Sequence, residues 1–229
     1  MTKLVKYHAH DLYAIIAIDN GKANAISHEV IEQINLCLDK AEKDKKVVVL
    51  TGKDGMFSAG YDLSVMKKSM ESAMELVEKG STLSRRLLSF PMPVIAACTG
   101  HAVAKGAFLL LSADYRIGVE GEFKIGLNEV AIGMTMHNAG VELARGRLNP
   151  VFFNRSVINA EIFGPTQALD AGFLDLVVKP KKFERTVEKV AGAMSSLDMR
   201  AHRQTKLKAR SELLATLDAS IEIDRGGSL

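Results

Sequence analysis

Apolar residues along the chain form a pattern of buried strands that alternate with amphipathic helices. Residues 12–18 and 46–52 are apolar on both faces, and each run ends in a turn with glycine, which predicts two buried strands. Between them, Ser27 can cap a helix whose apolar residues recur at helical spacing (Val30, Ile31, Ile34, Leu38 and Ala41). This βαβ order, with strands apolar on both sides, predicts an α/β fold with layers covering both faces of a sheet.

The same alternation continues towards the carboxy terminus. The pattern predicts a helix over 70–89 and a strand over 91–100, followed by shorter elements: helices near 105–113, 138–147 and 166–172, and strands at 115–119 and 122–127. Beyond Lys179 it predicts only helices, over 181–196 and about 200–221. We therefore divide the chain near residue 180, into an α/β core (1–180) and a helical tail (181–229) that is too small to fold alone.

Composition narrows the class of protein. The chain is 47% apolar and 25% charged, with 9 Phe and 4 Tyr, which excludes a disordered or fibrous chain. No apolar run approaches the roughly 18 to 20 residues that span a bilayer, and the amino terminus lacks a signal segment, so we expect a cytoplasmic protein without a membrane partner. Cys37 and Cys98 do not imply a disulfide framework.

Charge gives a weaker indication. The net charge of +3 is too small to make nucleic acid the expected partner. Residues 179–210, however, hold ten Lys or Arg against three acidic residues. This local excess could attract the phosphates of a small ligand, or it could be a solvated helical face.

Several familiar catalytic motifs are missing. The sequence has no GxxxxGK[ST], no GxGxxG after a strand, no GxSxG, no HExxH and no CxxC, which leaves nucleotide cradles, α/β-hydrolase chemistry and the usual zinc sites without support. His8 and His10 have no third ligand nearby, so we predict no metal site.

Two loops rich in small residues follow strands, at 57–63 and 99–107. Small residues at a strand-to-helix turn let backbone N–H groups face a ligand, and two such turns could together form an oxyanion hole. Taken alone, each loop is more typical of an ordinary turn than of a catalytic site.

Five segments in order resemble the crotonase superfamily, the enoyl-CoA hydratases and isomerases. They are Ala23-Asn24-Ala25-Ile26, Phe57-Ser58-Ala59-Gly60-Tyr61-Asp62-Leu63, Pro93-Val94-Ile95-Ala96-Ala97 leading to Gly100 and Gly106, Ser112-Ala113-Asp114-Tyr115-Arg116, and Ala168-Leu169-Asp170-Ala171-Gly172-Phe173-Leu174-Asp175. The resemblance covers roughly residues 10 to 180. It implies a crotonase-like α/β fold, a spiral of ββα units, followed by a C-terminal helical region for oligomerisation.

The resemblance also implies roles for individual residues. Two backbone N–H groups, here those of Tyr61 and Lys105, would polarise a thioester carbonyl, although the family usually has glycine where this chain has Lys105. Coenzyme A would enter as part of an acyl-CoA substrate, and no separate cofactor is expected. Small residues would line the substrate site at Ala23, Ala59, Gly60 and Gly106. Lys22 would lie near the CoA phosphates, or be an ordinary surface lysine.

The acid–base residues of the family decide the reaction. Its hydratases are similar to one another in using two glutamates, but this sequence has Phe108 at the first place and Glu129 only at the second. The segment IGLNEV at 125–130 resembles the Δ3-Δ2 enoyl-CoA isomerases, which use one glutamate. One carboxylate suffices to move a proton from C2 to C4, whereas hydration also needs a held water. We therefore expect an isomerase; a hydratase or another lyase of this type, and a catalytically silent acyl-CoA-binding scaffold, remain alternatives.

Several other residues could have either a structural role or a role in binding the substrate. His137 and Asn138 could face the substrate or cap the helix that follows, and we favour the cap. Four methionines (Met66, Met70, Met74 and Met134) could line an acyl pocket or fill the core. Asp62 and Asp114 are expected to satisfy backbone groups in turns.

The resemblance finally implies a homotrimer or a dimer of trimers, assembled through the terminal helices. The tail carries an apolar stripe at helical spacing, formed by Leu207, Leu213, Leu214 and Leu217, which needs a partner surface.

Overall fold

A computed structural model describes residues 3–227, which form two β-sheets surrounded by helices. The larger sheet has six strands in the spatial order β1 (Val5–Ala9), β2 (Tyr13–Ile18), β3 (Val47–Thr51), β5 (Val94–Cys98), β7 (Tyr115–Val119) and β10 (Leu176–Val178). Its edge strand β1 runs antiparallel to β2, and every other pair is parallel. Parallel pairs need crossover connections, which the intervening helices provide.

The smaller sheet has the order β4 (Gly55–Ser58), β6 (Gly100–Val103), β8 (Ile125–Gly126) and β9 (Ile162–Phe163). The first three strands are parallel, and β9 is antiparallel to β8. Because the carboxyl ends of parallel strands meet at one edge, the segments after β4, β6 and β8 emerge side by side.

Ten α-helices lie within residues 3–227. They are α1 (His28–Lys43), α2 (Leu63–Met66), α3 (Met70–Ser89), α4 (Lys105–Leu111), α5 (Asn138–Arg147), α6 (Pro150–Val157), α7 (Pro165–Ala171), α8 (Phe183–Ser195), α9 (Met199–Ala209) and α10 (Ser211–Gly226). Single 3₁₀ turns occupy Val130–Ile132 and Pro180–Lys182. None of the helices in this described part is long and apolar enough to cross a membrane.

The predicted buried strands and the long helices are confirmed. The Oγ of Ser27 accepts a hydrogen bond from Val30 N at 3.3 Å at the start of α1, as the cap prediction required. The single helix expected over about 200–221 is wrong, because the chain breaks at Arg210 into α9 and α10. Five strands and two helices were not predicted, namely β1, β4, β6, β9, β10, α2 and α6, and β6 lies within the segment 99–107 that was expected to be a loop.

The core has two layers, one on each face of the larger sheet. On one face, Val48 and Leu50 pack with the apolar sides of α1, α3 and α4. On the other face, Val47 and Val49 pack with Val187 of α8. The fully buried pattern of β3 is explained by this double covering.

The apolar stripe of the tail packs within its own chain. Leu214 and Leu217 are buried in the main core, and Leu207 and Leu213 pack against it, where α10 lies on α3 and α5. The stripe therefore gives no support for contact between subunits, and the trimer stays a prediction. The division near residue 180 marks where the chain becomes purely helical.

Two basic residues of the tail join it to the core. Lys206 Nζ and Arg210 Nη1 lie 2.6 and 2.7 Å from the carboxylate oxygens of Asp114. That carboxylate also accepts from Val94 N at 2.7 Å, so the prediction that Asp114 serves backbone groups is confirmed. These two cations of the basic region are therefore engaged in structural contacts.

Candidate active site

Three segments that follow the parallel strands of the smaller sheet bring Tyr61, Lys105 and Glu129 to one edge. Met56 of β4 pairs with His101 of β6, and Ala102 of β6 pairs with Ile125 of β8. The two predicted loops and the predicted glutamate therefore come from neighbouring strands, although they are far apart in the sequence.

The two small-residue turns contact each other closely. A β-carbon placed on Gly60 would lie 2.8 Å from Ala104 Cβ and 3.4 Å from Lys105 N. A β-carbon on Gly106 would lie 2.3 Å from Ser58 O. Glycine at these two positions is what allows the turns at 58–61 and 104–106 to lie side by side.

The segment after β2 holds the first turn in place. Ala59 N donates to Ala23 O at 3.0 Å, and Ile26 N donates to Gly60 O at 2.8 Å. Asn24 is fully buried, and its Nδ2 donates to Ile18 O at 2.8 Å and to Phe57 O at 3.1 Å. Ala23 and Ala59 are therefore held side by side at the first turn, and their role in substrate binding stays a prediction.

The backbone amides of Tyr61 and Lys105 are available to a ligand. Among the described residues, neither amide donates a hydrogen bond to another protein group. Lys105 is the first residue of α4, and the preceding Ala104 has a φ of +49°, an unusual value for a residue with a side chain. Ala104 N donates to Gly126 O at 3.0 Å, which ties this turn to β8.

Glu129 presents a buried carboxyl group at the same edge. The residue is 8% exposed, and its Oε2 has no hydrogen-bond partner within residues 3–227. Burial raises the pKa of Glu129 to about 7. A carboxyl group of this kind is half ionised near neutral pH and can both take and return a proton.

Phe108 and His137 fill the space beside this site. Phe108 is fully buried, and its ring centroid lies 5.5 Å from that of His137 in an edge-to-face arrangement. Burial lowers the pKa of His137 to about 4, so the imidazole is neutral at physiological pH. Phe108 and the neutral His137 therefore form an uncharged corner.

The prediction that His137 or Asn138 caps α5 is wrong. His137 precedes the helix but its side chain makes no capping hydrogen bond. Instead, the Asp224 carboxylate on α10 accepts from Asn138 N at 2.8 Å and from Ala139 N at 2.9 Å. Asp224 of the tail therefore caps α5, because the carboxy-terminal end of α10 lies next to the start of α5.

An apolar cleft of about 680 Å³ borders the site. It lies between α2 and α3 on one side and the loop after Glu129 on the other, and Glu129 O accepts from Met134 N at 2.9 Å. Three of the four methionines singled out in the sequence line it (Met66, Met70 and Met134), and Met74 does not. A second cleft of about 660 Å³ lies between α8 and the outer face of the larger sheet, and no predicted site residue lines it.

The remaining predicted residues lie outside the centre of the site. Lys22 is exposed in the turn before Ala23. Asp62 caps α2 by accepting from Ser64 N at 2.8 Å, which confirms its predicted role in a turn. His8 and His10 are exposed, and residues 3–227 contain no cluster of three His, Cys, Asp or Glu side chains suited to a metal ion.

Sequence reasoning missed two residues of α3 that support the site. Gly80 and Ser84 lie under the side chains of Tyr61 and Lys105. The signal available was the glycine itself, because glycine inside a helix costs about 1 kcal/mol relative to alanine and often marks a close approach.

The arrangement suits one kind of chemistry. Two amide donors on touching turns can bind an oxygen that gains negative charge. A buried carboxyl group with a pKa near neutrality can transfer a proton beside it. Together they fit formation and collapse of an enolate.

Comparisons with known proteins agree with this geometry. Residues 11–226 match the family described as "Enoyl-CoA hydratase/isomerase". A "Probable enoyl-CoA hydratase" of Bacillus subtilis (strain 168) is 32% identical over 170 residues, which cover 72% of this chain and 66% of that relative.

Solved structures extend the comparison to nearly the whole chain. An enoyl-CoA hydratase/isomerase family protein from Pseudomonas syringae is 58% identical with a TM-score of 0.98, and the match covers 99% of each chain. An enoyl-CoA isomerase of Mycobacterium tuberculosis is 36% identical with a TM-score of 0.94, again over 99% of each chain. The fold expected from the sequence resemblance is therefore confirmed.

Proposed function

The chain belongs to the enoyl-CoA hydratase/isomerase family, and we propose that it is a Δ3-Δ2 enoyl-CoA isomerase that uses Glu129 as its single acid–base residue. The observation that carries the proposal is one buried carboxyl group, whose Oε2 has no partner among residues 3–227, together with a buried Phe108 at the position where the resemblance places a second carboxyl group in hydratases. The substrate is an acyl-CoA thioester with its double bond between C3 and C4.

The first step depends on the two turns. The thioester carbonyl oxygen accepts hydrogen bonds from Tyr61 N and Lys105 N, which lie on turns in direct contact. These donors stabilise the negative charge that the oxygen gains when a proton leaves C2. Each donor of such a hole is typically worth ~3–4 kcal/mol in the transition state.

The proton moves through Glu129. The ionised carboxylate takes a proton from C2, and the electrons delocalise into the carbonyl to give a dienolate. The protonated carboxyl group then returns the proton to C4, which shifts the double bond to C2–C3 and regenerates the carboxylate. A pKa near 7 suits both halves of this exchange.

Phe108 supports migration of the double bond over hydration. Adding water across C2–C3 requires a group that holds and activates the water. The buried phenyl ring, packed on a neutral His137, offers no such group. Asp224, the carboxylate near His137, is occupied by its three hydrogen bonds to Asn138 and Ala139.

The cleft supports an apolar acyl tail. Met66, Met70, Ile132 and Met134 line it, and Met134 N donates to Glu129 O, so the cleft adjoins the segment that carries the proposed base. Unbranched methionines adapt to the shape of an alkyl chain, so we propose that the acyl group beyond C4 lies here. Lys22, exposed beside Ala23, is proposed to contact the CoA phosphates.

Hydration is the second candidate, because relatives of this chain are named as hydratases. A silent scaffold is the third. The Lys105 side chain, at a position where the family usually has glycine, runs from the turn towards α3. The deciding experiment supplies a 3-enoyl-CoA and a 2-enoyl-CoA separately to the native protein and to Glu129→Gln and follows each product.

We expect the native protein to convert the 3-enoyl substrate and to hydrate the 2-enoyl substrate poorly. Glu129→Gln is expected to lower kcat by ~10²–10⁴ with little change in acyl-CoA affinity. Rapid hydration, or full isomerase activity in Glu129→Gln, would contradict the proposal. Tight acyl-CoA binding without turnover of either substrate would indicate the scaffold.

We also propose a homotrimer or a dimer of trimers. Support comes from apolar side chains that the tail leaves exposed, Leu197 and Ile223. Light scattering at micromolar concentration tests the assembly, and a stable monomer would refute it.

A further inference from the structure

The side chain of Lys105 runs away from the proposed oxyanion hole and ends at α3. It is 1% exposed, and its Nζ donates to Gly80 O at 2.5 Å and to Ser84 Oγ at 2.6 Å. No carboxylate within residues 3–227 pairs with it, and burial lowers the pKa of Lys105 to about 7. The cost of burying this amine is therefore not offset by an ion pair.

The side chain of Tyr61 ends at the same turn of α3. A β-carbon on Gly80 would lie 2.0 Å from Tyr61 Oη and 2.7 Å from its Cζ, so the ring rests directly on the glycine. Tyr61 Oη is 3.4 Å from Val77 O, one turn earlier. Lys105 Nζ lies 5.9 Å from the centroid of the Tyr61 ring. The two residues whose amides face the substrate are thus both anchored at Gly80.

We propose that the turn of α3 around Gly80 positions both oxyanion donors. The Lys105 side chain holds the Lys105 amide in place through its hydrogen bonds to α3, and the Tyr61 ring holds the Tyr61 amide in place by packing on Gly80. The Lys105 side chain is accordingly a positioning residue, and its backbone amide is the group that contacts substrate. The inference rests on the proposed oxyanion hole and is independent of whether the protein isomerises or hydrates.

Holding the two amides in place matters because an oxyanion hole tolerates little change in the position of its donors. A hydrogen-bond donor of an oxyanion hole stabilises the developing oxyanion from a distance of about 2.7–3.1 Å. A displacement of about 1 Å can lower the rate by about 10²-fold. Lys105 follows Ala104, whose φ of +49° is held only by its surroundings. The hydrogen bonds of the Lys105 side chain keep the Lys105 amide in place and prevent the backbone at Ala104 from moving to a less strained conformation.

The test measures enolate stabilisation directly. Lys105→Met keeps the apolar stem and removes both hydrogen bonds to α3. The probe is acetoacetyl-CoA, whose enolate absorbs in the near ultraviolet where the keto form does not. We expect the ratio of bound enolate to bound keto form to fall at least ~10-fold and kcat to fall by a similar factor, with KM nearly unchanged.

Lys206→Met is the matched control. Lys206 is also a buried lysine, 7% exposed, and its Nζ donates to Phe90 O at 2.9 Å and to Met92 O at 3.0 Å, in contacts of the tail with the core. This variant should unfold at a lower temperature while the enolate ratio and kcat stay at native values. The comparison of the two variants separates an effect on the stability of the protein from an effect on the position of the Lys105 amide.

Ser84→Ala keeps the test informative if Lys105→Met does not fold. It removes one of the two acceptors and leaves Gly80 O, so we expect a smaller fall in the enolate ratio, ~2–5-fold. A native enolate ratio and kcat in folded Lys105→Met, or in Ser84→Ala when Lys105→Met is unfolded, would overturn the inference. Enolate absorbance in the native protein without double-bond migration would instead refute the isomerase proposal alone.

Discussion

Gly60 and Ala104, from two turns more than forty residues apart in sequence, meet so closely that a β-carbon on Gly60 would lie 2.8 Å from Ala104 Cβ. The φ of Gly60 is +102°, a conformation that residues with side chains rarely adopt. The spacing of the two proposed oxyanion donors is therefore set by a contact that leaves no room for even one methyl group.

Gly60→Ala should damage both stability and activity. The new methyl group collides with Ala104 and strains the backbone, so we expect a loss of about 3 kcal/mol in the free energy of unfolding. Separation of the turns should lower kcat by ~10–100-fold. Denaturant titration and steady-state kinetics measure the two effects. Gly21→Ala is the control: its φ is +63° but nothing lies within 4 Å, so it should cost only about 1 kcal/mol and leave kcat intact.

The pH dependence of kcat/KM should report Glu129. Because its pKa is raised to about 7, the free enzyme loses the ionised base below neutrality. We expect kcat/KM to fall tenfold per pH unit below about pH 7 and to level off above it. Lys105 has a pKa lowered to the same region, so the profile should be repeated with Lys105→Met; disappearance of the acid limb there would assign it to the lysine instead.

Glu129→Gln should be more stable than the native protein at alkaline pH. The folded pKa lies above the ordinary value of 4.5, so the folded state binds more protons than the unfolded state between pH 4.5 and about 7. The stability this gives is present below pH 4.5 and is lost as pH rises through 7. Gln does not titrate. The unfolding free energy of Glu129→Gln should therefore rise relative to that of the native protein by about 2–4 kcal/mol between pH 4.5 and pH 8. A pH-independent difference would contradict burial as the cause.

Gly80→Ala should destabilise the protein although alanine favours helix. Its methyl group would lie 2.0 Å from Tyr61 Oη, and overpacking of this kind costs about 1–3 kcal/mol. In a Tyr61→Leu background the ring is absent, so most of that cost should vanish in a double-mutant cycle. Gly192→Ala in α8 meets no atom within 4 Å and should stabilise by about 0.5–1 kcal/mol. Equal effects at the two glycines would contradict the packing of Tyr61 on α3.

Asp224→Ala should loosen the last helix. The carboxylate caps α5 through three hydrogen bonds from Asn138 and Ala139, and loss of a cap costs about 1–2 kcal/mol. Hydrogen exchange should become faster in α10 and at the start of α5. Asp218→Ala, on the same helix as Asp224, removes an exposed ion pair with Arg85 of α3 and should change stability by less than about 1 kcal/mol. Unchanged exchange in Asp224→Ala would show that apolar contacts alone hold α10.

The sequence by itself determined the four central strands of the larger sheet (β2, β3, β5 and β7) and the long helices α1, α3 and α8. Runs such as VVVL at 47–50, apolar at every position, are stable only where both faces are covered, so local pattern alone predicts a double-layered α/β core. The roles of Tyr61, Lys105 and Glu129 came from the resemblance to a family and stay predictions, whereas the two loops rich in small residues were visible in the sequence itself.

Only the tertiary structure decided what surrounds those positions. The break at Arg210, the cap from Asp224 and the contacts of Lys105 and Tyr61 with Gly80 depend on groups tens of residues apart. The apolar stripe of the tail illustrates the reason: periodicity shows that Leu214 and Leu217 need a covering surface, and it cannot distinguish the chain's own α3 and α5 from another subunit. Burial of a face is a local requirement, whereas the identity of its partner is set by the path of the whole chain.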